Sequence, residues 1–90
     1  MPSFSSSPEA TPANAVILDF RGLTYDGNQW HDSAKIRLMS EGASSNSTPG
    51  YISFHTTAPS STTLSERMRI TSEGNIGIGT TTPKNKLDVE

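Results

Sequence analysis

The segment ERMRITSEGNIGIGTTTPKNKLDV, residues 66–89, carries the most specific pattern in this chain. Within it Ile76 and Ile78 alternate with Gly77 and Gly79, so the isoleucines share one face of an extended segment and the glycines share the other. A face made only of glycine lets another backbone come unusually close. Mobile linkers lack paired isoleucines at period two. The pattern therefore predicts a close-packed strand, and not a flexible tail.

The same glycines do not form a phosphate-binding loop. A dinucleotide-binding fingerprint reads G-x-G-x-x-G between a strand and a helix. Here Gly74, Gly77 and Gly79 have the reversed spacing, and the TTTPKNK string that follows does not start an amphipathic helix. No G-x-x-x-x-G-K-[ST] string occurs either. No cofactor is expected from this segment.

The rest of the chain reads as short β-segments separated by polar turns. Apolar residues alternate with polar ones in AVILDFR, SAKIRLM, GYISFHT and LSERMRI, and no window carries a clean 3.6-residue repeat. The intervening strings, including GLTYDGNQWHD, are rich in turn-forming residues. These features predict an all-β module of short antiparallel strands. The predicted apolar faces comprise Val16, Leu18, Phe20, Ile36, Leu38, Ile52, Phe54, Met68, Ile70, Ile76 and Ile78, with Leu64 on the face of Met68 and Ile70.

Composition indicates that this module does not fold around a large core of its own. The chain has 90 residues, of which 31% are hydrophobic, no cysteine and a net charge of −2. Neither disulfides nor a thiolate metal site can compensate for a thin core, so the missing burial is expected between subunits. The small acidic net charge argues against nucleic-acid binding. The sequence has no apolar run of membrane-spanning length and no secretory signal. We therefore expect synthesis in a cytoplasm and no membrane insertion.

Two parts are distinguished along the chain. Residues 1–14, with three prolines and several serines, have the composition of an extended N-terminal arm, which is either a frayed terminus or an arm lying on a neighbouring subunit. Residues 15–90 form the predicted β-rich module.

No constellation of catalytic residues is found, and the chain is not expected to be an enzyme. The aspartates are scattered, His31 and His55 do not have metal-binding spacing, and no nucleophile motif accompanies the serines. One loop concentrates Tyr25, Trp30 and His31 with two aspartates, a mixture that suits contact with a sugar or peptide. The simpler interpretation is that Trp30 fills the core or an interface.

Taken in order, the strings ILDFRG, AKI, GYISFHTT, ERMRI, GNIGIGTTTP and KLDV resemble a module of tailed-bacteriophage tail fibres and tail spikes. In that family the module commonly lies just ahead of a chaperone domain of the peptidase S74 type. The resemblance covers residues 15–89 and is most specific in its last third. It implies an elongated or knob-like homotrimer, located in the virion and in contact with other virion proteins.

Two departures from that family leave the location open. The chain stops at Glu90, directly after LDV, without a chaperone domain, and it is short for a whole fibre. It is either a piece of a longer fibre or a compact trimeric protein such as a capsid cement (decoration) protein. A third alternative, from a different class, is a carbohydrate-binding module centred on Trp30, whose partner would be a host surface glycan.

Within the expected trimer, particular residues are assigned to packing and pairing. The trimer-packing candidates are Ile70, Ile76, Gly77, Ile78 and Gly79, and the receptor-contact candidates are Tyr25, Trp30 and His31. Close interchain approach at the glycines predicts that Gly77→Val blocks assembly. Arg67 and Arg69 are expected either to pair with Glu66, Asp19 or Asp88 in the same or a neighbouring chain or to remain solvated.

Overall fold

A computed structural model describes residues 10–90, which contain six β-strands and no helix. Most of the predicted N-terminal arm, residues 1–9, lies outside the described residues. At its described end, Thr11 accepts a backbone hydrogen bond from Ala43, and the first strand begins two residues before the predicted boundary. The strands are β1 (Ala13–Tyr25), β2 (Trp30–Glu41), β3 (Gly50–Thr57), β4 (Leu64–Ile70), β5 (Ile76–Ile78) and β6 (Leu87–Val89).

All six strands lie in one sheet, in the order in which they occur along the chain. The first four pairings are antiparallel, which confirms the all-β prediction. Two details differ from it. β1 and β2 are 13 and 12 residues long, well above the strand length of about 5–6 that is most common in globular proteins. The last pair, β5 with β6, is parallel.

The first hairpin is longer than expected because its turn is compact. The predicted loop, residues 22–32, is mostly strand, and only residues 26–29 form the turn. The Asp26 carboxylate accepts hydrogen bonds from the backbone amides of Asn28 and Gln29, at 2.7 and 2.9 Å. Gly27 supplies the positive φ of 101° that this turn requires. Local side-chain bonds therefore close the turn within four residues.

A β-bulge near the start of β1 changes which face Val16 occupies. Val16 pairs with Met39 and Leu18 with Leu38, so two steps along β1 match one step along β2. Side chains alternate between faces at each paired step, and the extra residue, Ile17, therefore places Val16 on the face opposite to Leu18. The prediction that these two residues share a face was wrong.

A second bulge, in β4, corrects the prediction for Leu64. Phe54 pairs with Met68 but the next residue of β3, His55, pairs with Glu66, which leaves Arg67 as the extra residue. Leu64 consequently shares its face with Glu66, and not with Met68.

The sheet is a single layer, and the described chain supplies no second layer to cover it. The Cα radius of gyration is 15.2 Å and the smallest principal extent is 16 Å. A compact domain of this length would have a radius of about 12 Å. Met39 is the only hydrophobic residue buried among residues 10–90, and the largest fully buried side chain is that of Ser53. The isolated chain thus has almost no interior.

No helix among residues 10–90 has the length and apolar character needed to cross a membrane.

Candidate functional site

One face of the sheet is apolar across all six strands and is here called the apolar face. Its side chains form two rows that run across the strands, and within each row every residue is paired with the next one on the neighbouring strand. The first row is Leu18, Leu38, Ile52, Ile70, Ile76 and Leu87, and the second is Phe20, Ile36, Phe54, Met68, Ile78 and Val89. Apart from Val16 and Leu64, which the two bulges place on the other face, every predicted apolar residue lies in these rows.

None of the twelve side chains in the two rows is buried. The second row ends at Phe20 on one edge and Val89 on the other, which are 60% and 62% exposed. Beside it lies an open hollow of about 510 Å³, where the small residues Gly22 and Ala34 adjoin Phe20, Ile36 and Phe54. Monomeric soluble proteins rarely expose apolar patches that extend over a whole sheet, so this face is a candidate interaction surface.

The opposite face, here called the polar face, is held together by paired charges. In one row of the sheet Asp19, Arg37, Ser53 and Arg69 lie side by side. Arg37 donates from Nε and Nη2 to the two carboxylate oxygens of Asp19, at 2.9 and 3.0 Å. This bidentate contact holds the pKa of Asp19 below its ordinary value, against the opposing effect of partial burial.

A second bidentate pair joins Arg69 to Glu66, one of the partners expected from the sequence. Arg69 donates to both carboxylate oxygens of Glu66 at 2.7 Å, and its guanidinium carbon lies 4.0 Å from the centre of the Tyr51 ring. The hydrogen bonds to Glu66 raise the pKa of Arg69. Its side chain covers the ring as well as pairing a charge. Arg67 instead donates to the hydroxyl of Thr56 at 2.9 Å.

Between these pairs lie Ser53 and His55. Ser53 Oγ and His55 Nε2 are 2.9 Å apart, and Ser53 is only 1% exposed. Burial lowers the pKa of His55, although the nearby carboxylate of Glu66 acts in the opposite direction. The lowered pKa favours the neutral form of His55, which lies among the paired charges of the polar face.

The two glycine candidates are packed against their own chain. A Cβ built on Gly77 would lie 2.5 Å from the backbone oxygen of Thr80 and 3.3 Å from Cβ of Pro83. Gly79 has a positive φ of 81°, and a Cβ there would lie 3.3 Å from Cβ of Glu90. From the sequence, both glycines were expected to lie at a contact between chains. In the structure, the space beside each is filled by the same chain.

The other candidate positions, Tyr25, Trp30 and His31, meet at the end of the first hairpin. Tyr25 and Trp30 are its last paired residues, and their ring centroids are 5.4 Å apart at an interplanar angle of 49°. They are 52% and 64% exposed, so Trp30 does not fill a core within this chain. His31 Nε2 lies 2.8 Å from Asp26 Oδ2. We call residues 25–31 the aromatic tip.

Within residues 10–90, no three histidine, cysteine, aspartate or glutamate side chains are grouped as metal ligands. On the polar face, Asp19 and Glu66 instead pair with arginine, as described above. The chemistry that the described surfaces offer is binding through apolar and aromatic groups.

Comparison with known protein families finds no family model that matches this chain, and comparison with curated proteins finds no significant match.

The bulges are the functional feature that sequence reasoning missed. They decide which face the side chains on either side of them occupy, and each is one extra residue within a strand. A local signal exists only at a separate register shift between Ala13 and Val16, where Asn14 has a positive φ of 63°, a conformation in which asparagine is enriched. No comparable composition signal marks the bulge at Arg67.

Proposed function

We propose that this chain is a structural protein of a tailed-bacteriophage virion, a homotrimeric tail-fibre or tail-spike module that acts as scaffold or host-attachment part. The observation that carries the proposal is the uncovered apolar face, which extends over the whole sheet. The module is a building part whose fold is completed by other copies, and it carries out no chemical reaction.

The energetic argument starts from the missing interior. Ordering one residue costs about 1–2 kcal/mol of backbone entropy, whereas burying a large apolar side chain contributes roughly 1.5–3 kcal/mol. With Met39 as the only buried hydrophobic residue of the described chain, the single chain lacks the burial to offset that cost. Copies that pack their apolar faces together would bury both rows at once. Folding and assembly are then one process.

The number of copies comes from the resemblance, which implies three chains. Its most specific strings, ERMRI, GNIGIGTTTP and KLDV, fall on β4, β5 and β6, three neighbouring strands of the sheet. The matching residues thus belong to one structural unit that contributes half of each apolar row. Because the most specific strings coincide with three adjacent strands, the resemblance supports a shared structural module.

The polar face supports an outer position in such an assembly. Its acidic and basic side chains are paired within the chain, as in Asp19 with Arg37 and Glu66 with Arg69. Paired charges need no partner subunit, so this face is compatible with solvent on the outside of a shaft or knob. The apolar face then points to the three-fold axis.

Two measurements test the proposal. Sedimentation equilibrium of the purified chain is expected to give a mass of three chains, with no folded monomer on dilution. A folded, stable monomer at micromolar concentration would overturn it. Gold-labelled antibody against the chain, applied to intact particles, is expected to decorate the tail. Labelling over the capsid would instead support the cement-protein alternative.

A further inference from the structure

The aromatic tip lies on the polar face, which is a consequence of a further bulge, in β2. Gly22 pairs with Ala34 and the next residue, Leu23, pairs with Asp32, so Ser33 is the extra residue in β2. Without it, Trp30 would follow Ala34 and Ile36 onto the apolar face by simple alternation. With it, Trp30 and Tyr25 project on the side of Arg21, whose Nε donates to Asp32 at 2.9 Å.

The two rings are presented by a rigid support. The Asp26 carboxylate binds the amides of Asn28 and Gln29 and the ring of His31, and the backbone amide of Asp26 donates to the carbonyl of Gln29 at 3.1 Å. His31 pairs with Thr24 and belongs to the opposite face, so its part is to hold the turn. A turn that is already closed by its own hydrogen bonds loses little backbone entropy when a ligand binds beside it.

We propose that the aromatic tip is a binding surface for a neutral glycan, with Tyr25 and Trp30 contacting the apolar C–H face of a sugar ring. The outward position of this surface rests on the proposed assembly through the apolar face. The exposed side-chain amides of Asn28 and Gln29, in the same turn, offer donors and acceptors for sugar hydroxyl groups. Amphipathic rings beside amides match a ligand with one apolar face and a polar rim.

The alternatives fit the tip less well. An extended peptide gains affinity through backbone hydrogen bonds to a free edge such as that of β1, a mode that gives no role to the two exposed rings on the sheet face. Single-stranded nucleic acid stacks on aromatic rings within a positively charged groove. Here Arg21 is paired with Asp32, and Asp26 adds a further negative charge. An uncharged sugar needs neither a free strand edge nor a positively charged groove.

The test uses the fluorescence of Trp30, which is the only tryptophan of the chain. The full chain is titrated with maltohexaose, cellohexaose and chitohexaose, and screened on an array of neutral and acidic glycans. The expected result is a saturable blue shift of the emission with at least one neutral glycan.

Two variants test the rings themselves. Tyr25→Ala is expected to weaken that binding at least tenfold. Trp30→Ala, whose binding is measured by calorimetry, is expected to abolish it. Thr24→Ala, a neighbouring change on the opposite face, serves as the matched control and is expected to bind as the native chain does.

Sedimentation of each variant separates this proposal from the assembly on which it rests. Loss of glycan binding with an unchanged oligomer supports the site. Dissociation of the oligomer by Trp30→Ala would show that the tip is a subunit contact and overturn the proposal. Absence of binding to every glycan on the array would overturn it as well. A chain that binds glycan as a monomer would retain the site and refute the assembly instead.

Discussion

Gly77 lies directly beneath the backbone oxygen of Thr80, at a position where a Cβ would approach that oxygen to 2.5 Å. This contact explains why a glycine occupies the centre of β5. Parallel strands need a connection that crosses one face of the sheet, usually of a dozen or more residues. The connection from β5 to β6 is residues 79–86 alone, and it must lie close to the sheet. It crosses on the polar side, which leaves Ile76 and Ile78 free on the other.

Replacing this glycine by alanine should detach the connection from the sheet. The new methyl group would meet backbone at 2.5 Å, so the crossover and β6 must move. We expect Gly77→Ala to lower the free energy of unfolding by roughly 2–4 kcal/mol, in the upper part of the range for point substitutions. Thermal unfolding followed by circular dichroism measures the change.

The matched control is Gly22→Ala, at a strand position where a Cβ would lie 3.9 Å from its nearest neighbour, the backbone oxygen of Ala34. This variant should unfold within about 1 kcal/mol of the native chain, because alanine also reduces the entropy of the unfolded state. Equal stability of the Gly77→Ala and Gly22→Ala variants would refute the steric role of Gly77.

A lysine on the apolar face should prevent assembly, whereas a lysine on the polar face should not. Ile36 and Leu23 are suitable sites because they are equally accessible, at 40% and 44% exposed, and lie on opposite faces. Burying an unpaired ammonium group costs several kcal/mol, so Ile36→Lys should raise the dissociation constant at least a hundredfold. Leu23→Lys would place its charge beside Asp32, its partner across the strands.

Sedimentation velocity over a concentration series distinguishes the two lysine variants. The expected outcome is a monomeric or unfolded Ile36→Lys chain beside a native-like Leu23→Lys oligomer. If both variants assemble normally, the apolar face is not the subunit interface.

The ion pair between Asp19 and Arg37 should make the free energy of unfolding depend on pH in the acidic range. The pKa of Asp19 is depressed below 3.8 in the folded chain, so the pair stabilises the fold at pH values above that and loses its effect as pH falls through the folded-state value. Asp19→Asn should therefore cost about 1 kcal/mol at pH 7 and less at pH 2–3.

Chemical denaturation at several pH values checks this dependence, with Glu73→Gln in the exposed β4–β5 turn as the control carboxylate. A cost of Asp19→Asn that stays constant down to pH 2 would show that the ion pair does not contribute.

His55 should produce a second pH dependence nearer to neutrality. Burial lowers its pKa from the ordinary 6.5, so the unfolded chain takes up its proton first as pH falls. Stability is then expected to decline from about pH 6.5 downward until the folded-state histidine is also protonated. His55→Gln keeps a hydrogen-bonding partner for Ser53 but has no titrating group. Its melting temperature should change less than that of the native chain between pH 7.5 and 5.5, and an identical decline in both would contradict this origin.

Period-two patterns predicted the faces correctly wherever a strand runs without interruption. Ile52 with Phe54, and Ile76 with Ile78, share the apolar face as expected. The prediction was wrong for Val16 and Leu64, because one extra residue between each of them and the next apolar position reverses the alternation. A sequence window cannot distinguish a bulged strand from a regular one when the bulged residue is an ordinary isoleucine or arginine.

The sequence alone determined the all-β class and, outside the bulges, which side chains share the apolar face, because alternation is a local property. Burial of that face between subunits stays a prediction. Only the tertiary structure decided that Gly77 accommodates the chain's own crossover, that Arg69 pairs with Glu66, and that Trp30 projects from the polar face. These depend on register and on a parallel return of the chain, which are set by contacts between residues distant in sequence.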